Sequence, residues 1–309
     1  MLGWLTDKAP TPGRHHRVGA GLCIGLLLSF GASLAAADPA GDASVPSARY
    51  LSETSQLSAP QSSASQTRSG RPAISLPTVP SGPLSGQPFG GLPQVGAIFS
   101  TSNGSPTGHY CSGSVVDSPT GDIVVTAAHC VADTTGYVSN IAFVPDYHDN
   151  QNPYGVWPVT NIVVSPQWLN DTDPDYDVAF LTVHRPGSAA RIQDVVGADK
   201  LGIDAGYTNL VQVVAYHTDT EEPVTCNNYT SQFTDPSLTS PQLEFDCGNY
   251  PTGTSGAPFL TDVDSNTDLG TVIGVIGGYK TGGSTPSVSY SIHFDGSVAR
   301  LLAAAEAQS

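Results

Sequence analysis

Three side chains in this sequence have the types and neighbours needed for nucleophilic acyl chemistry: His129, Asp177 and Ser255. A serine hydroxyl is a weak nucleophile until a histidine accepts its proton. A buried carboxylate then fixes the tautomer of that histidine and stabilises the imidazolium. His129 follows Val124-Val125-Thr126-Ala127-Ala128 and precedes Cys130, so an apolar strand ends in small residues that allow close packing under the imidazole. Asp177 stands at the mouth of a second apolar run, Val178-Ala179-Phe180-Leu181. Acids before strands are common in turns, so this run alone is weak evidence, and Asp175 is the alternative acid. Ser255 lies in Gly253-Thr254-Ser255-Gly256-Ala257-Pro258, where the glycines admit backbone conformations that aim successive N–H groups at one point. Read alone, that run is a surface turn. The three runs together point to a catalytic constellation.

The elements that must position these groups are strands. From about Gly90 onward, short runs rich in Val, Ile, Phe and Tyr alternate with turns of Gly, Pro, Asn, Asp and Ser. Strands are expected at 95–99, 114–116, 123–126, 141–144, 178–183, 210–216, 242–245 and 271–276. Such spacing indicates an all-β sandwich or barrel and not alternating βαβ units. A single helix is expected at the end, over Gly296 to Glu306 with Asp295 as its cap. The stretch 90–309 is long enough for two packed β-units.

Residues 1–37 have the layout of a secretory signal peptide: Lys8, Arg14 and Arg17, an apolar stretch from Val18 to Leu34, then Ala35-Ala36-Ala37. Residues 38–89, rich in Ser, Pro, Ala and Gln, cannot bury enough surface to order themselves and read as a disordered propeptide or linker. Cys23 lies within the signal, so Cys111, Cys130, Cys226 and Cys247 reach the exported product. An even number outside the cell implies two disulfides. Three pairings are possible; the shorter loops favour Cys111 with Cys130 and Cys226 with Cys247, each constraining the unfolded chain by about 3 kcal/mol.

The formal net charge is −16, and from Gly90 onward five cations face 23 carboxylates. That field disfavours nucleic acid and anionic membranes and mildly favours basic or neutral partners. Asp262 to Asp268 begins like a calcium loop but lacks its glycine and closing glutamate, so a plain turn is expected there and no metal or other cofactor. Asn103, Asn170 and Asn228 each open an N-x-S/T glycosylation triplet.

The runs Thr126-Ala127-Ala128-His129-Cys130, Asp177-Val178-Ala179-Phe180-Leu181 and Gly253 to Pro258 resemble the histidine, aspartate and serine motifs of the chymotrypsin-like serine peptidases. They stand in that family's order, whereas an α/β-hydrolase would run Ser, Asp, His. Tyr110 to Val116 resembles the family strand whose cysteine bridges to the one after the histidine. The resemblance covers about residues 90 to 305. It implies two antiparallel β-barrels of the chymotrypsin-like type with the site between them, His129 from the first and Ser255 from the second. It implies a secreted endopeptidase, working as a monomer on peptide or protein substrates. His129 would be general base and then acid, Asp177 its orienting partner, and Gly253 and Ser255 N–H the oxyanion hole. A silent binding protein and an esterase are the alternatives on the same fold.

The resemblance also has gaps. The trypsin branch places before its serine an aspartate that pairs with the amine released on activation; here Thr254 stands there. The overall plan is closer to the bacterial secreted glutamyl-endopeptidase-like branch, in which the aspartate is also missing. That branch has a histidine where this chain has Ile276, which argues against a strict glutamyl preference. By alignment with the family's pocket strand Val275-Ile276-Gly277-Gly278-Tyr279 would run alongside bound peptide, pairing with it as an added strand, and Asn249 would lie about where trypsin-like enzymes keep a pocket acid.

Overall fold

The computed structural model describes residues 83–309. The signal-like stretch, Cys23 and most of 38–89 lie outside the described residues. Six strands form a closed first barrel in the order Val95–Ser102, Ser105–Val116, Ile123–Thr126, Ala179–Val183, Trp157–Val164, Ile141–Pro145, with the last pairing back to the first. Its interior holds Ile98, Phe143, Trp157 and Leu181, all fully buried. Ile123–Thr126 is buried along its whole length, as expected of a strand covered on both faces.

The second unit runs Lys200–Leu201, Thr271–Val275, Pro258–Thr261, Leu210–Tyr216, Pro223–Phe233, Gln242–Asp246, Val288–Ser291. Its two sides meet through Gly277 N–H to Tyr290 O at 2.9 Å and Val275 N–H to Ser291 Oγ at 2.9 Å, so it is a barrel stitched shut by single bonds. The helix Gly296–Glu306 is capped by Asp295, which accepts from Ser297 N–H at 2.7 Å. The helix buries Val298 and Ala305.

One apolar cluster crosses between the barrels, joining Val95, Phe99 and Val125 to Tyr216, Leu260 and Val272. A buried polar tie accompanies it. Asp199 accepts from Ser114 Oγ and Gln94 Nε2 of the first barrel and from Gly270 N–H of the second, at 2.7, 3.1 and 2.8 Å. The folded domain starts before Gly90: Gln87–Pro88 pairs with Pro223–Phe233, and Gly86 N–H donates to Gly248 O. Local composition conceals this short segment, because its order comes from the sheet edge it completes.

The strands at 123–126 and 210–216 and the C-terminal helix fall where the pattern places them, but that helix is not single: Pro166–Asp171 and Ile192–Val196 form short helices too brief to show a helical period. Trp157–Val164 and Pro223–Phe233 do not show in that pattern. Both carry prolines and mixed burial, so their alternation is weak; neighbouring strands select their conformation. Among the described residues no helix is long and apolar enough to cross a membrane.

Candidate active site

His129 sits in a short 3-10 turn, Ala128–Cys130, directly after strand Ile123–Thr126. Ala127 and Ala128 are fully buried, and the Cys111–Cys130 disulfide ties the turn to strand Ser105–Val116. Asp177 immediately precedes Val178 and strand Ala179–Val183, which pairs with Ile123–Thr126 so that Thr126 lies opposite Ala179. Two adjacent strands thus end at the same edge, one delivering the histidine and the other the acid.

The Asp177 carboxylate is completely buried. Its Oδ1 accepts from His129 N–H at 2.9 Å, and its Oδ2 meets His129 Nδ1 at 2.7 Å and Gly278 N–H at 2.8 Å. Because backbone and ring of one residue both donate to this carboxylate, the imidazole has little freedom to turn. Nδ1 carries its proton toward Asp177, which leaves Nε2 as the acceptor. Burial works against the imidazolium, but the Asp177 charge and hydrogen bond outweigh it and hold His129 above its ordinary pKa.

Ser255 stands on the loop between strands Gln242–Asp246 and Pro258–Thr261. The loop needs its glycines. Gly253 has φ +103°, and a Cβ there would meet Thr218 N and lie 2.8 Å from Tyr216 O; Gly256, at φ +80°, presses on Thr126 and Ser112. Thr254 is buried, with Oγ1 donating to Pro251 O at 2.8 Å. Thr254 N–H reaches Pro251 O and Gly256 N–H reaches Ile276 O, at 3.3 and 2.7 Å. Among the described hydrogen bonds, the N–H groups of Gly253 and Ser255 donate to nothing. Two successive odd-numbered N–H groups left free beside a serine are what a developing oxyanion requires.

His129 and Ser255 line one cleft of about 600 Å³, together with Tyr110, Tyr250, Thr252 and Ile276. No hydrogen bond joins Ser255 Oγ to His129 among the described residues; such contacts commonly tighten only when substrate binds. A larger groove, about 810 Å³, lies on the second barrel beside Leu210, Asn227 and Val263, but among the described residues no histidine, cysteine or serine lines it. Cys111, Cys130 and His129 offer ligand atoms within 4.8 Å of one another. Both sulfurs are already bonded to each other, so the metal-like spacing reflects the disulfide. Cys226 is bonded to Cys247. Asp264 turns its carboxylate onto its own loop, accepting from Asn266 N–H at 2.8 Å and Thr267 N–H at 3.2 Å.

Of the residues expected to contact substrate, only Ile276 lines the cleft. The chain turns at Gly278 (φ +81°) instead of continuing as an extended strand. Gly278 N–H is committed to Asp177 and Tyr279 N–H to Gln242 Oε1 at 2.8 Å, so neither is free to pair with a peptide. Gly277 lies against Asp177, where a Cβ would sit 3.1 Å from Oδ2. Tyr279 packs on Phe233 and Tyr290. Asn249 faces the N-terminal segment, donating to Gly86 O at 3.1 Å. The far wall is formed by Thr281, Gly282, Gly283, Ser284, Thr285 and Pro286. In sequence that run is indistinguishable from an ordinary turn; its only signal is its closeness to Gly277-Gly278. Asp175, the alternative acid, is engaged elsewhere, accepting from Thr239 N–H at 2.7 Å.

The trypsin family model matches residues 89–293. The chain belongs to the trypsin family, with the fold of the chymotrypsin-like serine proteases. Among solved structures it is similar to the protease Anisep from Arthrobacter nicotinovorans, at 26% identity and TM-score 0.61, over 72% of this chain and 99% of that one. A thermostable serine protease, AL20, from an extremophilic microorganism shares 24% identity at TM-score 0.59, over 70% and 98%. A Glu endopeptidase shares 16% at TM-score 0.54, over 73% and 98%. The last two speak for a common fold. No curated protein matches the chain in sequence.

Proposed function

We propose that the protein is a secreted serine endopeptidase in which Ser255 is the nucleophile, His129 the general base and acid, and Asp177 the group that orients His129. The observation that carries this is the buried Asp177–His129 pair, 2.7 Å apart, opening on the same cleft as Ser255 and its two free N–H groups. Ser255 Oγ attacks the scissile carbonyl as His129 Nε2 takes its proton. Gly253 and Ser255 N–H receive the negative oxygen of the tetrahedral intermediate. His129 then returns the proton to the departing amine, leaving an acyl ester on Ser255 that water, deprotonated by the same imidazole, hydrolyses. An electron-poor hole of two backbone donors is worth about 3 kcal/mol per donor in the transition state.

Substrate preference follows from the lining. Among the described residues no Asp, Glu, Lys or Arg lines the cleft; its polar side chains are the hydroxyls of Tyr, Ser and Thr and the His129 ring. An ionised side chain entering it would lose hydration without gaining a counter-charge, so peptides with an uncharged residue before the scissile bond are the expected substrates. The two disulfides and the N-terminal layout of the sequence support export with a cleaved leader, and with it a peptidase that works outside the cell, on this reading as a monomer.

The test compares the secreted protein with Ser255→Ala on a peptide library and with a fluorophosphonate probe. The wild type should be labelled and should cleave after uncharged residues, and the variant should do neither. A correctly folded wild type that takes up the probe but turns over only esters points to an esterase. One that is neither labelled nor active points to a binding protein.

A further inference from the structure

The two candidate oxyanion donors, Gly253 N–H and Ser255 N–H, are separated by a single intervening peptide group, Gly253–Thr254. Its orientation sets the angle at which the two donors converge. Its N–H end is tied within the loop, to Pro251 O. Its C=O end is tied from outside the loop, by Ser112 Oγ at 3.0 Å. The neighbouring Thr252–Gly253 peptide is held by its own C=O, which accepts from Thr218 N–H at 3.0 Å and so turns Gly253 N–H the opposite way.

Ser112 has no exposed surface and no idle polar group. Its Oγ accepts from Tyr216 N–H at 3.0 Å while donating to Gly253 O. Its N–H donates to Ser255 O at 2.7 Å, and its C=O accepts from Thr126 Oγ1 at 2.8 Å. One residue of strand Ser105–Val116 therefore touches the loop on both sides of Thr254 and joins it to strand Leu210–Tyr216 of the other barrel. The hydroxyl is the part of this arrangement that a glycine or alanine could not supply.

We propose that Ser112 is a positioning residue for acyl transfer: its hydroxyl holds the Gly253–Thr254 peptide so that Gly253 N–H and Ser255 N–H converge on the oxyanion before substrate arrives. This rests on the serine-peptidase reading above. Without the hydroxyl, Gly253 O and Tyr216 N–H lose their buried partner, and the peptide is free to rotate about the flexible Gly253. The loss falls on a state that carries an oxyanion and spares a ground-state complex that does not.

The experiment is steady-state kinetics on Ser112→Ala with a peptide substrate of the wild type, alongside binding of a peptide aldehyde, whose hemiacetal oxygen occupies the hole, and of an uncleavable amide analogue. The expected result is a fall in kcat of about 10- to 100-fold with KM changed less than about 3-fold, aldehyde affinity falling in parallel and analogue affinity retained. Unchanged kcat and aldehyde affinity overturn the proposal, and so does an equal loss for both ligands. If Ser112→Ala does not fold, Ser112→Cys, close in size with a weak donor, is read by the same two ligands and should show the same split at smaller amplitude. A wild type that cleaves no peptide refutes the peptidase reading itself, whereas an active wild type matched by its variants refutes only the role of Ser112.

Discussion

His129 and Asp177 leave adjacent strands of a closed six-stranded barrel, paired residue by residue, whereas Ser255 stands on a loop of a sheet closed by scattered single bonds, such as those of Gly277 N–H and Ser291 Oγ, and not by a ladder. On the first barrel, regular ladders aim the side chains and the Cys111–Cys130 bridge locks the turn between them. On the second, aim comes from positive-φ glycines and from side chains that grip single peptide groups. On the proposed mechanism, the difference teaches that the proton-handling half is built by repetition and the charge-stabilising half by exceptions. Damage to either half should therefore have its own signature.

The largest separable effect should come from the first barrel. Asp177→Asn keeps the shape but offers the imidazole an amide where it had a carboxylate, so the tautomer with Nε2 free is no longer enforced. A loss in kcat of about 10⁴-fold is expected. Affinity for the peptide aldehyde should suffer less, since Gly253 and Ser255 N–H remain in place. Stopped kinetics and inhibitor titration check both halves of the statement; equal losses in the two would mean that the halves are not independent.

A smaller effect is expected from the second barrel. Gly253→Ala places a Cβ where Thr218 N and Tyr216 O now stand, at a φ that an L-residue rarely adopts. The loop must shift and one donor is lost, for a fall in kcat of about 10²- to 10³-fold. The His129–Asp177 pair should be untouched, which the proton resonance of the shared Nδ1–H would report. If that resonance moves as well, the loop and the pair act as one unit.

The same contrast explains what could be read in advance. The His129 and Asp177 runs are legible because a buried strand with a polar residue at its end carries its own pattern, as at Ile123–Thr126 and Ala179–Val183. The fold class follows from the repetition of such runs. The wall from Thr281 to Pro286 has no periodicity, and which glycine-rich turn faces a cleft is decided by contacts distant in sequence. Extrapolating Ile276 as a straight strand fails at Gly278, where a positive φ and the pull of Asp177 turn the backbone inward. Ser112 is invisible for the same reason: its partners Gly253 and Tyr216 lie more than a hundred positions away. Residues 84–89 look unstructured because their order is borrowed from Pro223–Phe233 and Gly248.

The smallest effect is a titration, and it tests whether the two halves share a proton. Only neutral His129 can accept from Ser255, and Asp177 holds its pKa above the ordinary 6.5. The acid limb of kcat/KM should therefore lie above 6.5, with activity falling as pH drops through it. Stability has the opposite sign. A histidine whose folded pKa is raised contributes stability that is complete below its unfolded pKa and is lost as pH rises through the folded one. Peptidase activity should thus appear over the same interval in which the charged pair stops contributing to the fold. In Asp177→Asn burial alone acts on the ring and depresses its pKa, so the acid limb of the residual activity should move to lower pH. In Gly253→Ala the limb should stay where the wild type has it, because among the described residues the second barrel's hydrogen bond to the carboxylate comes from Gly278 N–H and not from the Gly253 loop. A limb that moves with the glycine substitution would show that the loop sets the charge on His129.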